Sequence, residues 1–213
     1  MTAGGTIEAA AAAARRGALI VFPTDTVFGI GTRPDDPAAT ARLFAAKRRP
    51  LDLTLPVLVA SVDAARHVAV FDDRASRVVA ACWPGALTLV LARTDGARDW
   101  ELGGDGATIG VRVPDHPVAR SLLGRTGPLA ATSANRSGET PGRDHDELVA
   151  TFGEAVAVYL SGDGSVGGAA STVIDLTGAE PRVLRRGDVD PEHVIGLPTA
   201  RRARRAGPGS PHC

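Results

Sequence analysis

Short apolar runs alternate with helix-patterned segments along almost the whole chain, and no other feature limits the fold as much. Residues 6–16 read as an Ala-rich helix that Gly17 breaks, and 18–22 as a β-type run. Asp36-Pro37 opens a second helix, with Pro at its first position, running to about Lys47. Further strands are expected over 56–60, 86–92, 107–113, 128–132, 155–160, 171–176 and 182–184. Helices fall between them over 62–68 (capped by Ser61), 72–82 (stopped by Trp83-Pro84-Gly85), 115–123 (capped by Asp115), 144–152 and 190–197. Within 107–113, Ile109, Val111 and Val113 point to one face and Arg112 to the other. This alternation predicts an α/β fold around one mixed sheet, in a single domain over 1–198. Residues 199–213 change character: Arg201, Arg202, Arg204 and Arg205 precede GPGSPHC, and a basic, disordered tail is expected.

Composition removes several classes of function. The chain has 213 residues, 44% hydrophobic and 23% charged, which is a soluble globular profile. Lys+Arg and Asp+Glu both total 24, which argues against a bulk polyanion binder and leaves room only for a local basic patch. Aromatics are 4%, too few for base-stacking platforms, so Ala, Val and Leu must build the core. Gly (25) and Pro (15) are scattered, as many tight loops require. Neither the cysteines at 82 and 213 nor any histidine has metal-ligand spacing, so no structural zinc is expected. No run approaches the roughly 20 apolar residues of a membrane span. The alanine run at 9–14 is followed, not preceded, by Arg15 and Arg16, the wrong polarity for a signal peptide. A cytoplasmic protein without membrane contact is expected.

Four segments place turn residues beside functional polar groups. The first, Phe22-Pro23-Thr24-Asp25-Thr26-Val27-Phe28-Gly29, crowds two hydroxyls and a carboxylate at the end of a buried strand, where α/β sheets bind ligands. A helix cap and its turn would use the same residues. The second is Lys47-Arg48-Arg49-Pro50. Pro50 pushes Arg49 out of helical geometry, and in an extended stretch Lys47 and Arg49 would project together, as a triphosphate needs. A helix C-terminus with favourable dipole charges is the plainer alternative. The third, Ala131-Thr132-Ser133-Ala134-Asn135, offers small side chains and free amides, as does any Ser/Asn-rich turn. The fourth is a Gly-rich stretch at 162–168, then Ser171-Thr172-Val173-Ile174-Asp175-Leu176 and Arg182-Val183-Leu184-Arg185-Arg186-Gly187. No Walker A, GxSxG elbow or acidic metal cage occurs. Hydroxyls, amides and cations make a site that holds anions rather than one built for general-base hydrolysis.

In this order the segments PTDTVFGIG, KRRP with PVLVAS, WPGALTLVL, TIGVRVPDHP, ATSANRSG, STVIDL and PRVLRRG resemble the YrdC/Sua5 family of threonylcarbamoyl-AMP synthases. The resemblance runs from about Thr6 to Ile195 and includes the KxR and SxN signatures at Lys47–Arg49 and Ser133–Asn135. It implies a twisted mixed α/β sheet with flanking helices and a concave basic groove. It also implies that L-threonine, bicarbonate and ATP give threonylcarbamoyl-AMP, pyrophosphate and water, for t6A modification at position 37 of tRNA. By motif, Thr26, Arg112, Ala131 and Ser171 would hold threonine. Lys47 and Arg49 would grip the phosphates and carry catalysis, and Thr108, Ser133, Asn135 and Arg185 would hold the rest of the ATP. Magnesium would come with the nucleotide, with no protein side chain as a metal ligand. The downstream partner would be the tRNA threonylcarbamoyl-transferase machinery, with tRNA itself a further contact. Phe28 stands where the family mostly has Tyr, Leu53 and Leu58 where some members have Asn and His, and Pro141 near a slot often filled by Ser or Thr.

The chemistry asks for little more than positioning. A carbamate of the threonine amine is already a nucleophilic anion, so attack on the α-phosphate needs cations to hold two anions together. Because carbamates lose CO₂ in water, a closing segment is expected, either 162–168 or the N-terminal segment. Two rivals remain at this level: a non-catalytic binder of double-stranded RNA or tRNA, and a carbamoyltransferase domain of the same fold that uses carbamoyl phosphate.

Overall fold

Helices begin where short polar side chains satisfy the first free amides. Thr6 accepts from the Ala9 amide at α1 (Ile7–Arg15), and Asp36 from Ala38 and Ala39 at α2 (Pro37–Lys47). Ser61 caps α3 (Val62–Arg66) and Asp72 caps α4 (Asp73–Cys82). At α5 (Pro117–Thr126) the expected Asp115 cap is displaced by one residue. Pro117 occupies the first helical position, so extended His116 becomes the cap and its side chain makes no capping bond. Asp144 and Asp190 cap α6 (His145–Phe152) and α7 (Pro191–Ile195).

The computed structural model describes residues 5–161 and 168–197; the tail at 199–213 and residues 162–167 of the Gly-rich stretch lie outside it. Its strands are β1 (Leu19–Phe22), β2 (Gly29–Thr32), β3 (Val57–Leu58), β4 (Leu87–Ala92), β5 (Thr108–Arg112), β6 (Leu129–Ser133), β7 (Val156–Tyr159), β8 (Thr172–Asp175) and β9 (Arg182–Arg185). They form one mixed sheet in the order β7-β1-β2-β6-β3-β5-β4-β8-β9. The sequence reading lacks β2, because Gly-Ile-Gly-Thr carries neither a strand period nor a long apolar run. Its glycines are what the position demands: a Cβ at Gly31 would stand 2.8 Å from the Ala130 carbonyl of β6.

Successive residues of β1 serve two cores. Leu19 and Val21 join a large cluster with Leu43 and Phe44 of α2, Ala65 of α3 and Val78 of α4. Ile20 and Phe22 join a second cluster with Leu122 and Leu123 of α5 and Ala10, Ala11, Ala13 and Ala14 of α1. Burial on both faces explains why β1 reads as a continuous apolar run. The alanine face lets α1 lie close on the sheet, so the described part of the N-terminal segment is packed structure rather than a closing flap. The sheet also brings chain ends together. The segment between β1 and β2, the ends of β5 and β6 and the start of β8 meet on one side.

Candidate functional site

The cleft at that meeting point is walled by Thr24, Thr26, Phe28, Leu58 and Thr88, with Arg112, Ala131, Ser133, Ser171 and Arg185. Every residue expected to hold threonine is therefore in one cavity, together with two of those expected on the nucleotide side. The TDT turn is self-fastened: the Thr24 hydroxyl donates to Val27 O at 2.6 Å and accepts from the Thr26 amide at 3.2 Å. It presents Asp25 and Thr26 to Arg112, which is 5% exposed. The Arg112 guanidinium donates to Gly85 O (2.8 Å), Thr26 Oγ1 (3.0 Å) and Asp25 Oδ1 (2.6 Å). Burial lowers its pKa and Asp25 opposes the shift. Asp25 was visible in the sequence as a carboxylate in the turn, but its role as the ion partner of Arg112 was not expected.

On the far wall the Ser171 hydroxyl lies 2.9 Å from Thr88 Oγ1 and accepts from Arg185 Nη2 at 2.9 Å, while Arg185 Nε donates to Ser171 O. Thr88 is a further residue the motifs did not single out. Its sequence signal was only a polar position inside an apolar strand.

Lys47 and Arg49 come together by a different route from the extended one expected. Lys47 is the last residue of α2, and Arg48 adopts a left-handed conformation (φ 50, ψ 40). The Arg49 amide then donates to Phe44 O and the Arg48 amide to Ala45 O, a Schellman closure that usually takes glycine. Lys47 is 1% exposed, and its ammonium donates to the carbonyls of Ser133 and Asn135. The KxR lysine thus braces the SxN loop from behind. Arg49 donates from Nε to Leu53 O and from Nη2 to Thr54 O, both at 3.0 Å. Asn135 spends its amide nitrogen on Arg136 O and Glu139 O, and its buried Oδ1 has no partner among the described residues. Thr108 sits at the opposite end of β5 from Arg112 and does not line the cleft; its carbonyl accepts from Arg93. Neither Pro141, between β6 and α6, nor Leu53, which is exposed, is part of the wall.

Among the described residues, Lys47, Arg49 and Arg185 have no carboxylate at ion-pair distance. They feel one another instead. Burial, then Arg49, pushes Lys47 from its ordinary 10.5 down to about 8. Burial lowers Arg49, with Arg185 adding to the fall and Asp52 opposing it. Burial and then Arg112 lower Arg185. Among the described residues these mutually repelling cations are held only by carbonyls and hydroxyls, an arrangement whose charge an anion would offset.

The sheet and cleft together define an α/β protein with cations in its cleft. A family model named for Sua5, YciO and YrdC, and described as telomere recombination, matches residues 12–187. A threonylcarbamoyl-AMP synthase of Chromohalobacter salexigens is 41% identical over 184 residues, covering 84% of this chain and 96% of that one. A provisionally named one from Mycobacterium tuberculosis is 43% identical over 189 residues, covering 88% of this chain and 87% of its own length. The crystal structure of P. abyssi Sua5 complexed with L-threonine superposes with a TM-score of 0.81 at 34% identity. It covers 90% of this chain, which spans 57% of that longer protein. E. coli YciO matches equally well, at TM-score 0.81 and 29% identity, over 89% of this chain and 92% of its own. The chain belongs to the Sua5/YciO/YrdC family.

Proposed function

We propose that this chain is a threonylcarbamoyl-AMP synthase, joining L-threonine, bicarbonate and ATP and releasing pyrophosphate and water. The observation that carries the reading is the grouping of cations at the cleft. A fixed arginine and hydroxyls (Arg112, Thr26, Ser171) share its lining with Arg185, while Arg49, outside that lining, feels Arg185 and buried Lys47 feels Arg49. Three of the five N–H groups of Arg112 are engaged, leaving two for a substrate carboxylate. Threonine held there turns its amine toward the phosphate end. Bicarbonate condenses with the amine, giving a carbamate and water. A carbamate oxygen then forms the bond to the α-phosphorus as the bond to the bridging oxygen breaks, and pyrophosphate leaves with that electron pair. Arg49 and Arg185 offset the charge that moves onto it. Among the described residues no group of three His, Cys, Asp or Glu side chains is placed to hold a metal. Magnesium would come with the nucleotide and screen the charge of its phosphates. The product would serve t6A modification of tRNA in the cytoplasm, passing to the tRNA threonylcarbamoyl-transferase machinery.

The test is pyrophosphate release from MgATP with threonine and bicarbonate supplied together and singly. Release that requires both is expected. A protein that binds RNA but releases none, or that turns over only with carbamoyl phosphate, overturns the assignment.

A further inference from the structure

Of the four neighbouring cations at and behind the cleft, Arg49 alone lies outside the helices and strands: Lys47 ends α2, Arg112 ends β5 and Arg185 ends β9. Its guanidinium takes its direction from the carbonyls of Leu53 and Thr54. Both belong to a turn over 50–54, closed by the Leu53 amide donating to Pro50 O at 3.2 Å. Leu51 and Leu53 are 69% and 44% exposed, so burial does little to fix this turn.

The turn rests instead on residues 102–104. The Leu55 amide donates to Leu102 O at 2.7 Å, and the Gly104 amide to Leu51 O at 3.0 Å. Gly103 (φ +79) and Gly104 (φ +68) hold a conformation that L side chains rarely adopt. A Cβ on Gly103 would stand 2.6 Å from Leu51 O and 2.9 Å from Phe44 Cζ. A Cβ on Gly104 would stand 2.3 Å from Thr54 Oγ1. Phe44 is on α2, in the turn before Lys47, so the glycine pair touches the supports of both halves of the KxR clamp.

We infer that Gly103 and Gly104 are positioning residues for the nucleotide phosphates, acting through the 50–54 turn to aim Arg49. They touch no substrate. The inference rests on the reading of Arg49 as a phosphate contact. A methyl group at Gly104 must displace Thr54, and its carbonyl, half of the hold on Arg49, moves with it.

Gly106 supplies a matched control: it has φ +74 in the same loop, yet a Cβ there meets nothing within 4 Å. Affinities for MgATP and for threonine are measured by calorimetry in the wild type and in Gly104→Ala, Gly106→Ala and Arg49→Ala. Gly104→Ala is expected to weaken ATP binding about tenfold, the scale of one charge-assisted hydrogen bond, with threonine affinity unchanged. Gly106→Ala leaves both unchanged. Thr54→Ala in the Gly104→Ala background removes the colliding hydroxyl and recovers most of the loss. Adding Gly104→Ala to Arg49→Ala costs no further affinity. Should Gly104→Ala not fold, Leu53→Gly loosens the same carbonyls from the exposed side and is expected to weaken ATP binding selectively. Equal losses of ATP and threonine binding, an undiminished Gly104→Ala effect without the Arg49 side chain, or normal ATP affinity in Gly104→Ala each overturn the inference. A wild type that binds threonine but no ATP overturns the functional reading itself, and the inference with it.

Discussion

Arg112 sits against Asp25 at 2.6 Å, while at the other end of the row of cations Lys47, Arg49 and Arg185 meet only carbonyls and hydroxyls among the described residues. The first arrangement settles its charge before any ligand arrives. It fixes the guanidinium in place and suits a zwitterion with no net charge to neutralise. The second leaves its charge unsettled: Lys47 is buried and Arg49 half-buried, Arg185 is more exposed, each feels another cation, and none has a carboxylate at ion-pair distance among the described residues. That end costs stability while empty and gains most from a ligand carrying several negative charges. On the proposed function, one end would select by shape and hydrogen bonds, the other by charge number.

The contrast breaks first at Asp25. Asp25→Ala leaves a buried guanidinium without its carboxylate and is expected to cost about 3 kcal/mol of unfolding free energy, along with threonine affinity. Urea denaturation checks it, and a change under about 0.5 kcal/mol would show that Gly85 and Thr26 hold Arg112 unaided. At the unpaired end, removing a cation should do the reverse. Arg49→Ala is expected to cost roughly 1.5–3 kcal/mol of ATP binding, about 10- to 150-fold, with unfolding stability unchanged or raised. Arg49→Lys should restore little of it, since an ammonium lacks the planar fork, and Arg48→Ala should resemble the wild type. Steady-state kinetics and thermal melting separate these effects; a large stability loss in Arg49→Ala would mean that the cation is structural.

Lys47 sharpens the comparison through pH. Its folded pKa, about 8, lies below its ordinary 10.5, so between those values the unfolded chain binds the extra proton. Stability of the ligand-free protein therefore rises with pH across that window, while ATP affinity falls as the folded ammonium loses its charge. Lys47→Met should remove both slopes, and a flat ATP affinity from about pH 7 to 9.5 would refute the assignment. The smallest effect is expected at Arg48→Gly. Relief of the left-handed backbone at φ 50 should add about 0.5–1 kcal/mol of stability with unchanged turnover. A loss would show that the Arg48 side chain makes a compensating contact.

The helix starts were legible because Thr6, Asp36, Ser61, Asp72, Asp144 and Asp190 are local signals that the structure uses as caps. So was the grouping of Thr26, Arg112, Ser133, Ser171 and Arg185, which entered through motifs rather than periodicity. What escaped the sequence depends on distant partners. Gly29–Thr32 is a strand only because β1 and β6 flank it, and Asp25 is an ion partner only because β5 delivers Arg112 to it. The left-handed Arg48 runs against residue preference, and the extended geometry expected for 47–49 failed there.

β6 also works as a ruler between the two ends. Ala131 and Ser133, two residues apart, both line the cleft, at a separation of about 7 Å set by strand geometry. That interval is covalent, so side-chain substitution cannot stretch it. It is locked by pairing with β2, where Gly31 stands opposite Ala131 and Gly29 opposite Ser133. A slip of one residue in that ladder would turn both marks to the opposite face and take them out of the cleft together.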